Sequence, residues 1–463
     1  MPGLLAKERI IAPPDYNRWL VPPAALAIHL SIGMAYGFSV FWLPLSKAGG
    51  WNVSTLGIMY SLFFLFLGSS AAVFGRWVER EGPRKAGVVA ALCWGGGFFI
   101  SAAGIYWHQI ALLWLGSGVI GGCGLGLGYI SPVSTLIKWF PDRRGMATGM
   151  AIMGFGGGAM IGSPLADILM RHYASATEPG VWQTFVTLGV IYLIAMLCGA
   201  FGYRLPPSGW QPAGWAPPVE SRRPMITSGN VDVRQAWRTP QFWLLLVVLC
   251  MNVSAGIGVI GMASPMLQEV FGGKLIGVAG TLKDLTPEQR TQVATIGAGF
   301  AALLSLFNIA GRIFWSSLSD LVGRKRTYFI FFTLGIVLYA LAPAAGRSGS
   351  VALFVGIFCV ILTMYGGGFA TIPAYIADLF GTRYVGAIHG RVLLAWSAAG
   401  ILGPQLVNNI REARIAGGVP PADAYNSVMY ILAALLAIGF FANLAVRPVA
   451  ERHYMSDHEG GTL

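Results

Sequence analysis

Apolar residues along the chain are grouped in twelve long runs, bounded by glycine, proline or charged residues. Runs of roughly 20 apolar residues have the length of a helix that crosses the hydrocarbon core of a bilayer. The pattern therefore predicts twelve membrane-spanning helices. The predicted spans are 20–44, 55–76, 86–106, 109–138, 145–169, 182–204, 240–268, 292–317, 327–344, 350–378, 386–409 and 425–446.

Composition supports this interpretation, because 55% of the 463 residues are hydrophobic and only 11% are charged. A soluble domain carries about 25% charged residues. We therefore expect an all-α integral membrane protein in a lipid bilayer. The stretch 205–239, rich in Pro, Gly, Trp and Arg, predicts a linker between a first bundle (1–204) and a second bundle (240–446), followed by a tail (447–463).

Basic residues indicate the orientation of the spans. The net charge of +12 would suggest nucleic acid in a soluble protein, but here the basic residues follow alternate spans and are typical of cytoplasmic loops. Both termini and the linker are thus expected in the cytoplasm, with no nucleic-acid partner. These residues are Arg76, Arg80, Arg84, Lys85, Lys138, Arg143, Arg144, Arg204, Arg222, Arg223, Arg234, Arg238, Arg324, Lys325 and Arg326.

An internal repeat divides the spans into two sets of six. Glu79 and Asp320 stand 241 positions apart in two similar loops, and proline and glycine positions match at the same spacing in the spans that follow. Repeats of this kind are typical of transporters built from two related bundles around a central cavity. The matched pairs are Gly82/Gly323, Arg84/Lys325, Lys85/Arg326, Pro132/Pro373, Gly145/Gly386, Gly149/Gly390 and Gly162/Gly403. Spans one and seven match at 221 positions, which places the extra 20 residues in an outer loop at 269–291.

The loop from Gly75 to Lys85 resembles the signature of the major facilitator superfamily, Gly-x-x-x-Asp-(Arg/Lys)-x-Gly-x-(Arg/Lys)-(Arg/Lys), with Glu79 in place of Asp. The resemblance implies a twelve-helix fold in two bundles and transport by alternating access. It also implies that the two loops hold one conformation through pairing of the acidic residue with a basic one near a helix end. The implied gate residues are Gly75, Glu79, Gly82, Arg84, Lys85, Asp320, Gly323, Lys325 and Arg326.

Enzymatic chemistry has no support in the sequence. We find neither a Gly-Lys-Ser/Thr phosphate loop nor a His-Glu-x-x-His motif, and the five cysteines lack the spacing of a metal or redox site. No catalytic residue, metal or cofactor is therefore expected. A membrane sensor that binds its ligand without moving it stays an alternative to a transporter.

Arg312 is the candidate substrate-binding residue. It precedes Asp320 by eight residues, or roughly 12 Å of helix, while half of the hydrocarbon core is about 15 Å. An arginine near the middle of the membrane is a candidate functional group, and its paired N–H donors suit a carboxylate. Ala71 occupies the matching position in the first half. The alternative is that Arg312 extends to the inner surface.

Span eight (Phe307 to Arg312), span ten (Tyr365 to Pro373) and span eleven (Gly403-Pro404) resemble the oxalate/formate antiporter family within the superfamily. In the family's oxalate carriers, the arginine of helix eight pairs with a lysine in helix eleven to hold two carboxylates. Span eleven has no lysine here, and Trp396 lies in that region. The resemblance thus implies a small carboxylate partner, and the departure favours a monocarboxylate such as formate, pyruvate or lactate over oxalate.

Proton-linked monocarboxylate transporters resemble this chain in helix eight, where their aspartate precedes the arginine by four residues. Asn308 occupies that position here, on the same helix face as Arg312. An amide cannot titrate, so anion exchange or facilitated diffusion is favoured over proton symport, and Asn308 is expected to fix the arginine or the substrate. His29 in span one stays an alternative proton site.

Four aromatic residues lie in spans that line the pathway of such carriers: Tyr36, Tyr129, Tyr365 and Trp396. Each either lines the cavity or packs between helices, since the sequence does not fix which face of a helix points inward. We expect a monomer in a bacterial-type inner membrane.

Overall fold

The computed structural model describes residues 3–51, 53–176, 178–216, 225–227 and 229–455. Within them, twelve helices are long and apolar enough to cross a membrane, which confirms the predicted all-α class. They are α1 (Arg18–Phe38), α2 (Thr55–Glu81), α3 (Pro83–Tyr106), α4 (Ile110–Trp139), α5 (Arg144–Tyr173), α6 (Val181–Gly202), α7 (Pro240–Ile276), α8 (Pro287–Val322), α9 (Arg324–Arg347), α10 (Val351–Phe380), α11 (Val385–Ala416) and α12 (Pro421–Ala445). Residues 217–224 and 228 of the expected linker, with Arg222 and Arg223, and the tail from 456 lie outside the described residues.

Helices α7 and α8 are longer than predicted, and the expected outer loop at 269–291 is wrong for most of its length. Helix α7 continues to Ile276 and α8 begins at Pro287. The Thr286 side chain accepts from the Gln289 backbone N–H, and the Gln289 side chain accepts from the Thr286 N–H. This reciprocal cap, with proline in the first helical position, begins a helix among polar residues that the apolar run does not include.

Helix packing follows the repeat. In the first half, α1 packs on α5, α2 on α4 and α3 on α6; in the second, α7 packs on α11, α8 on α10 and α9 on α12. The main contacts between the halves are α5 with α8 and α2 with α11, which are also equivalent in the repeat. The candidate site lies where these four helices meet.

Matched glycines are the points of closest approach between the halves. A Cβ atom added to Gly149 of α5 would lie 2.1 Å from the Ser316 Oγ and 2.8 Å from the Arg312 carbonyl oxygen of α8. One added to Gly390 of α11 would lie 2.2 Å from the Ala71 carbonyl oxygen of α2. Small residues are needed wherever membrane helices approach this closely.

Helices α1 and α11 lose regular geometry close to two of the aromatic residues singled out in the sequence, and α4 has a π-helical stretch over Trp114–Gly121. Helix α1 tightens into 3₁₀ turns over Gly33–Phe41, and α11 is interrupted at Leu393, between Val385–Val392 and Leu394–Ala416. Short 3₁₀ stretches within a helix often mark functional positions. Tyr36 lies in the first irregular segment, and Trp396 follows the second.

Candidate functional site

Arg312 lies at the interface between the halves and is 1% exposed. Its Nη1 donates to the Ile152 carbonyl oxygen of α5 at 2.9 Å, and its Nε donates to the Asn308 Oδ1, one turn away on α8, at 3.2 Å. The guanidinium therefore reaches from the second half into the first. The alternative in which Arg312 extends to the inner surface is wrong, because the cross-interface bond holds the side chain inside the bundle.

Aromatic rings surround the guanidinium. Its Cζ lies 5.8 Å from the ring centroids of both Phe155 and Phe369, within the range of cation–π attraction. The Trp396 ring contacts both phenylalanines, at centroid distances of 5.3 Å and 4.6 Å. We call this group the aromatic cluster; its members are Tyr36, Tyr129, Phe155, Tyr365, Phe369 and Trp396.

All four aromatic residues singled out in the sequence belong to this cluster. The Tyr36 and Tyr365 hydroxyl groups are hydrogen bonded to each other at 3.0 Å, joining α1 to α10 across the halves. The Tyr36 hydroxyl also lies close to the guanidinium of Arg312. Tyr129 is fully buried, and its ring lies 5.2 Å from that of Trp396.

Polar groups in the cluster include donors without acceptors. Among the described residues, the Arg312 Nη2, the Tyr129 hydroxyl and the Trp396 Nε1 are buried and have no hydrogen-bond partner. A buried donor left unpaired costs about 1–3 kcal/mol. Arginine and tryptophan side chains can only donate, so the ligand that would satisfy them carries several lone pairs, as an anion does.

His29 is buried within the first half. Its Nδ1 faces the carbonyl oxygen of Ala151, and its Nε2 lies 3.1 Å from the carbonyl oxygen of Tyr129. The ring therefore links α1 to α5 and α4 through backbone acceptors. A neutral imidazole can donate to only one of the two.

The acidic residue of each loop caps a helix in the opposite half. The Asp320 Oδ1 accepts from the Gly145 N–H and its Oδ2 from the Met146 N–H, both at 2.9 Å, at the start of α5. The Glu79 Oε1 accepts from the Gly386 N–H at 2.9 Å, at the start of α11. Carboxylates are favourable at helix N-termini because they satisfy free N–H groups and oppose the helix dipole. We call the face that carries these caps the motif face.

The ion-pair partners of these acids differ from the basic residues of the motif. Glu79 pairs with Lys138 of α4 and accepts from the Ser134 hydroxyl at 2.7 Å. Asp320 pairs with Arg324 at 2.6 Å. Of the motif residues, Lys85 pairs with Glu81, Lys325 donates to the carbonyls of Leu444 and Val446, Arg84 donates to that of Phe201, and Arg326 is exposed. Lys85, Arg84 and Lys325 therefore bond within their own halves.

Gly82 and Gly323 make the turn after each acidic residue. Both have a φ angle of +91°, which L side chains rarely adopt. The turns end α2 and α8 at matching places, so that each acidic side chain faces the other half.

Asp378 at the end of α10 adds a contact that the motif does not predict. It accepts from Arg144 of α5 at 2.9 Å and from Arg324 of α9 at 3.0 Å, bridging the halves. The N-terminal segment also reaches this face, where the Lys7 Nζ donates to the Glu79 carbonyl oxygen at 2.9 Å. Burial, and next the charge of Lys138, lower the pKa of Lys7. The motif face is thus closed by helix caps and buried ion pairs.

Sequence reasoning missed three residues around Arg312. Phe155 stands 241 positions before Trp396, so the repeat spacing could have identified it. Phe369 lies in the span-ten segment that carried the family resemblance. His389 of α11 is fully buried beside Tyr129, and no sequence signal distinguished it from a residue at a helix end.

Comparison with known proteins gives concordant results. The family model of the Major Facilitator Superfamily matches residues 24–404. The chain is 27% identical over 391 residues to the oxalate:formate antiporter of Oxalobacter formigenes, covering 84% of this chain and 83% of that protein. It is 25% identical over 404 residues to apicoplast pyruvate carrier 1 of Toxoplasma gondii (77% and 69% covered) and 26% identical over 391 residues to monocarboxylate transporter 4 of Rattus norvegicus (82% and 75%). The resemblance to the oxalate/formate antiporter family is confirmed at this level of similarity.

Solved structures share the fold. A bacterial homologue of the iron transporter ferroportin, in an outward-facing state, superposes with a TM-score of 0.64 at 14% identity, over 92% of this chain and 98% of that one. The Escherichia coli fucose:proton symporter superposes with a TM-score of 0.63 at 12% identity, over 92% and 99%. These likenesses confirm the predicted fold class of twelve helices in two bundles.

Proposed function

This chain belongs to the major facilitator superfamily, and from that premise we propose that it is a secondary transporter of small carboxylates, which it exchanges by alternating access. The observation that carries the proposal is Arg312. A buried guanidinium lies between the two halves, bonded to Ile152 and Asn308, with its Nη2 unpaired among the described residues. Parallel N–H donors of this kind fit the two oxygens of a carboxylate.

A substrate with one negative charge fits the site better than a dianion. Among the described buried residues, Arg312 is the one arginine or lysine away from a helix end. Helix α11 contributes the neutral Trp396 to the cluster. A second carboxylate would be left without a cation in a dry site, which is costly. Formate, pyruvate and lactate are therefore favoured over oxalate, within the range of acids that the names of its relatives cover.

Exchange is favoured over proton symport at this site. The side chain of Asn308 accepts from Arg312 and cannot take up a proton, so it orients the guanidinium without changing charge. His29 is the alternative proton carrier, but both of its nitrogens face backbone carbonyl oxygens. That arrangement supports a role in holding α1 against α4 and α5.

We place the motif face in the cytoplasm of a bacterial-type cell, with the carrier working as a monomer in the inner membrane. The basic residues on this face support the orientation. The two caps and the ion pairs of Asp378 close this side, so the substrate would enter the described conformation from the opposite side.

Counterflow in proteoliposomes tests the proposal. Liposomes with the purified protein are loaded with unlabelled formate, pyruvate, lactate or oxalate, and the entry of the same ¹⁴C-labelled acid is followed. We expect transient accumulation of a monocarboxylate, and no accumulation when a pH gradient is imposed on unloaded liposomes.

The other possible results of the counterflow experiment distinguish exchange from symport, from ligand sensing and from an unrelated substrate. Accumulation driven by the pH gradient alone would establish symport in place of exchange. Binding of a carboxylate without any counterflow would indicate a sensor. Failure of all four acids both to bind and to exchange would refute the carboxylate assignment. Protein-free liposomes measure the diffusion of the protonated acids.

A further inference from the structure

His389 is a buried histidine for which the exchange mechanism gives no role. It lies in the first segment of α11 (Val385–Val392) and is fully buried. Its ring lies 5.9 Å from the ring of Tyr129 of α4, at an interplanar angle of 46°. The side chain thus comes from the second half and packs on a residue of the first.

Neither ring nitrogen of His389 has a hydrogen-bond partner among the described residues. This differs from His29, whose two nitrogens both face backbone oxygens. A buried imidazole carries at least one N–H, and leaving it unpaired is costly. A leucine would fill such a space without that cost, so the ring needs a partner that is present only in another state of the protein.

The position of His389 places it between the gate and the aromatic cluster. It follows Gly386, which Glu79 caps, by three residues, or roughly 4.5 Å along the helix. It precedes Trp396 by seven residues. Separation of the halves at the motif face would open the contact between His389 and Tyr129 to water and place the imidazole beside the path from Arg312 to that face.

The other titratable groups nearby are engaged elsewhere. Glu79 pairs with Lys138, and Asp378 pairs with Arg144 and Arg324. His29 packs within the first half, with its ring 5.2 Å from that of Tyr129 and both nitrogens facing backbone oxygens. The titratable groups on the elements packed against this segment are Tyr60, Arg76, Glu79, Arg80 and Glu81 of α2, Cys123, Tyr129 and Lys138 of α4, Cys250, Glu269 and Lys274 of α7, Cys359, Tyr365, Tyr375 and Asp378 of α10, Arg411, Glu412 and Arg414 of the second segment of α11, and Asp232 and Arg234 beside the short helix Val233–Ala236. Arg391, on the segment itself, donates to the Val233 carbonyl. In the described chain, no carboxylate is bonded to His389.

We propose that His389 is a second carboxylate-binding residue, which holds the substrate on its way between Arg312 and the motif face. The inference rests on the proposed carboxylate exchange. In the state open to the motif face, the hydrated imidazole takes up a proton from water on that side, and the imidazolium pairs with the carboxylate. When the motif face closes, the His389 ring is buried again without an acceptor. The imidazolium therefore releases its proton to the motif side before closure, and no net proton crosses the membrane.

Proton-assisted binding on one side has a measurable consequence. Because the protonated ring binds the anion more tightly, the half-saturating substrate concentration at the motif face falls as the pH there falls. At pH values above the imidazole pKa, the half-saturating concentration changes by nearly tenfold per pH unit, and at pH values below that pKa it becomes constant. At the opposite face His389 is buried, so half-saturation there is independent of its protonation.

Half-saturation is measured with [¹⁴C]formate and [¹⁴C]pyruvate in membrane vesicles of each orientation, between pH 7.5 and 5.5. Wild-type protein should show about a tenfold fall at the motif face and less than a twofold change at the other. His389→Gln keeps an N–H donor but cannot titrate, so its profile at the motif face should be flat. His172→Gln, an exposed histidine at the end of α5, should match wild type. An unchanged profile in His389→Gln would overturn the proposal.

A second measurement uses the wild-type protein and so does not depend on folding of the variant. Diethyl pyrocarbonate is added from the motif side, and modification of His389 is followed by peptide mass spectrometry. Saturating pyruvate should slow it at least about fivefold, since a bound carboxylate shields the ring; equal rates would refute the site. Wild-type protein that exchanges neither acid would refute the proposed function and this inference with it, whereas exchange with a flat wild-type profile would refute His389 alone.

Discussion

Phe155 and Trp396 stand 241 positions apart in the sequence and meet edge to face in the structure, with ring centroids 5.3 Å apart. The two equivalent positions of the repeat thus touch at the centre of the molecule. Arg312 and Ala71 are also equivalent, and the backbone of each forms the same close contact, with Gly149 and with Gly390 respectively. The halves share these backbone contacts, but the second half has Arg312 where the first has Ala71, so the positive charge at this contact comes from the second half alone.

Replacing Arg312 should abolish exchange without unfolding the protein. Arg312→Ala removes the charge and the donors to Ile152 and Asn308, and we expect initial counterflow of formate to fall at least about 100-fold, which corresponds to about 3 kcal/mol of lost binding. Arg312→Lys keeps the charge but not the paired donors and should recover part of the activity. Arg238→Ala, at an exposed arginine, is the matched control. Wild-type counterflow in Arg312→Ala, with an unchanged melting temperature, would contradict the assignment.

Removing either acidic cap should open the motif face. Asp320→Asn and Glu79→Gln each weaken charge-assisted bonds to a helix N-terminus in the opposite half, worth about 1.5–3 kcal/mol. In a cysteine-free background, Thr371→Cys is a buried reporter on α10. Its alkylation by an impermeant maleimide from the motif side should accelerate about tenfold in either variant.

Asp142→Asn is the control for that measurement, because Asp142 pairs with Arg18 inside the first half at 2.6 Å. Its loss should leave the labelling of the reporter unchanged. Equal acceleration in all three variants would mean that general loosening, and not release of the caps, exposes the reporter.

Added methyl groups at the matched glycines should separate the halves. Gly149→Ala and Gly390→Ala place a Cβ against backbone of the opposite half at 2.8 Å and 2.2 Å. Both should raise labelling of Thr371→Cys from the motif side and slow counterflow. Gly96→Ala, whose Cβ would have no atom within 4 Å, should leave both unchanged and stabilise α3 by about 0.5–1 kcal/mol. A melting temperature and labelling rate equal to wild type in Gly390→Ala would show that the halves do not touch there.

Tyr36 and Tyr365 should behave as a coupled pair. Their hydroxyl groups bond to each other across the halves at 3.0 Å, so Tyr36→Phe and Tyr365→Phe each remove the same bond, worth about 1 kcal/mol. The double variant should therefore change the half-saturating formate concentration about as much as either single variant. Additive effects in this cycle would mean that each hydroxyl contacts a different partner during transport.

Much of the fold and part of the site follow from sequence. Arg312 could be placed inside the bundle because α8 runs unbroken to Val322, so that eight residues of helix separate it from Asp320. The repeat located both acidic residues that cap helices of the opposite half for a similar reason, since Gly82 and Gly323 adopt the same turn. The end of α7 at Ile276 and the start of α8 at Pro287 were misplaced, because an apolar run does not extend into polar turns. Thr286 and Gln289 nevertheless have the spacing of a helix cap.

The ion-pair partners of the two acids could not be read from the motif. Glu79 pairs with Lys138 because α4 packs on α2 within the first half, and Asp320 pairs with Arg324, one turn further along the chain. His389 lies a turn inside a helix end, where most histidines meet water. Only its contact with Tyr129, a residue 260 positions earlier, shows that it is enclosed.

The two caps have a consequence for how such a molecule could arise. Each half carries an acidic side chain and a helix start that the acid of the other half caps. The first half has Glu79 and the helix start at Gly145, and the second half has Asp320 and the helix start at Gly386. Asp320 caps Gly145, and Glu79 caps Gly386. Two identical copies of one six-helix unit, related by a twofold axis, would therefore make both contacts without further change. Such a homodimer would have both cap contacts, and joining the two copies in one chain would allow one of them to carry an arginine where the other has alanine.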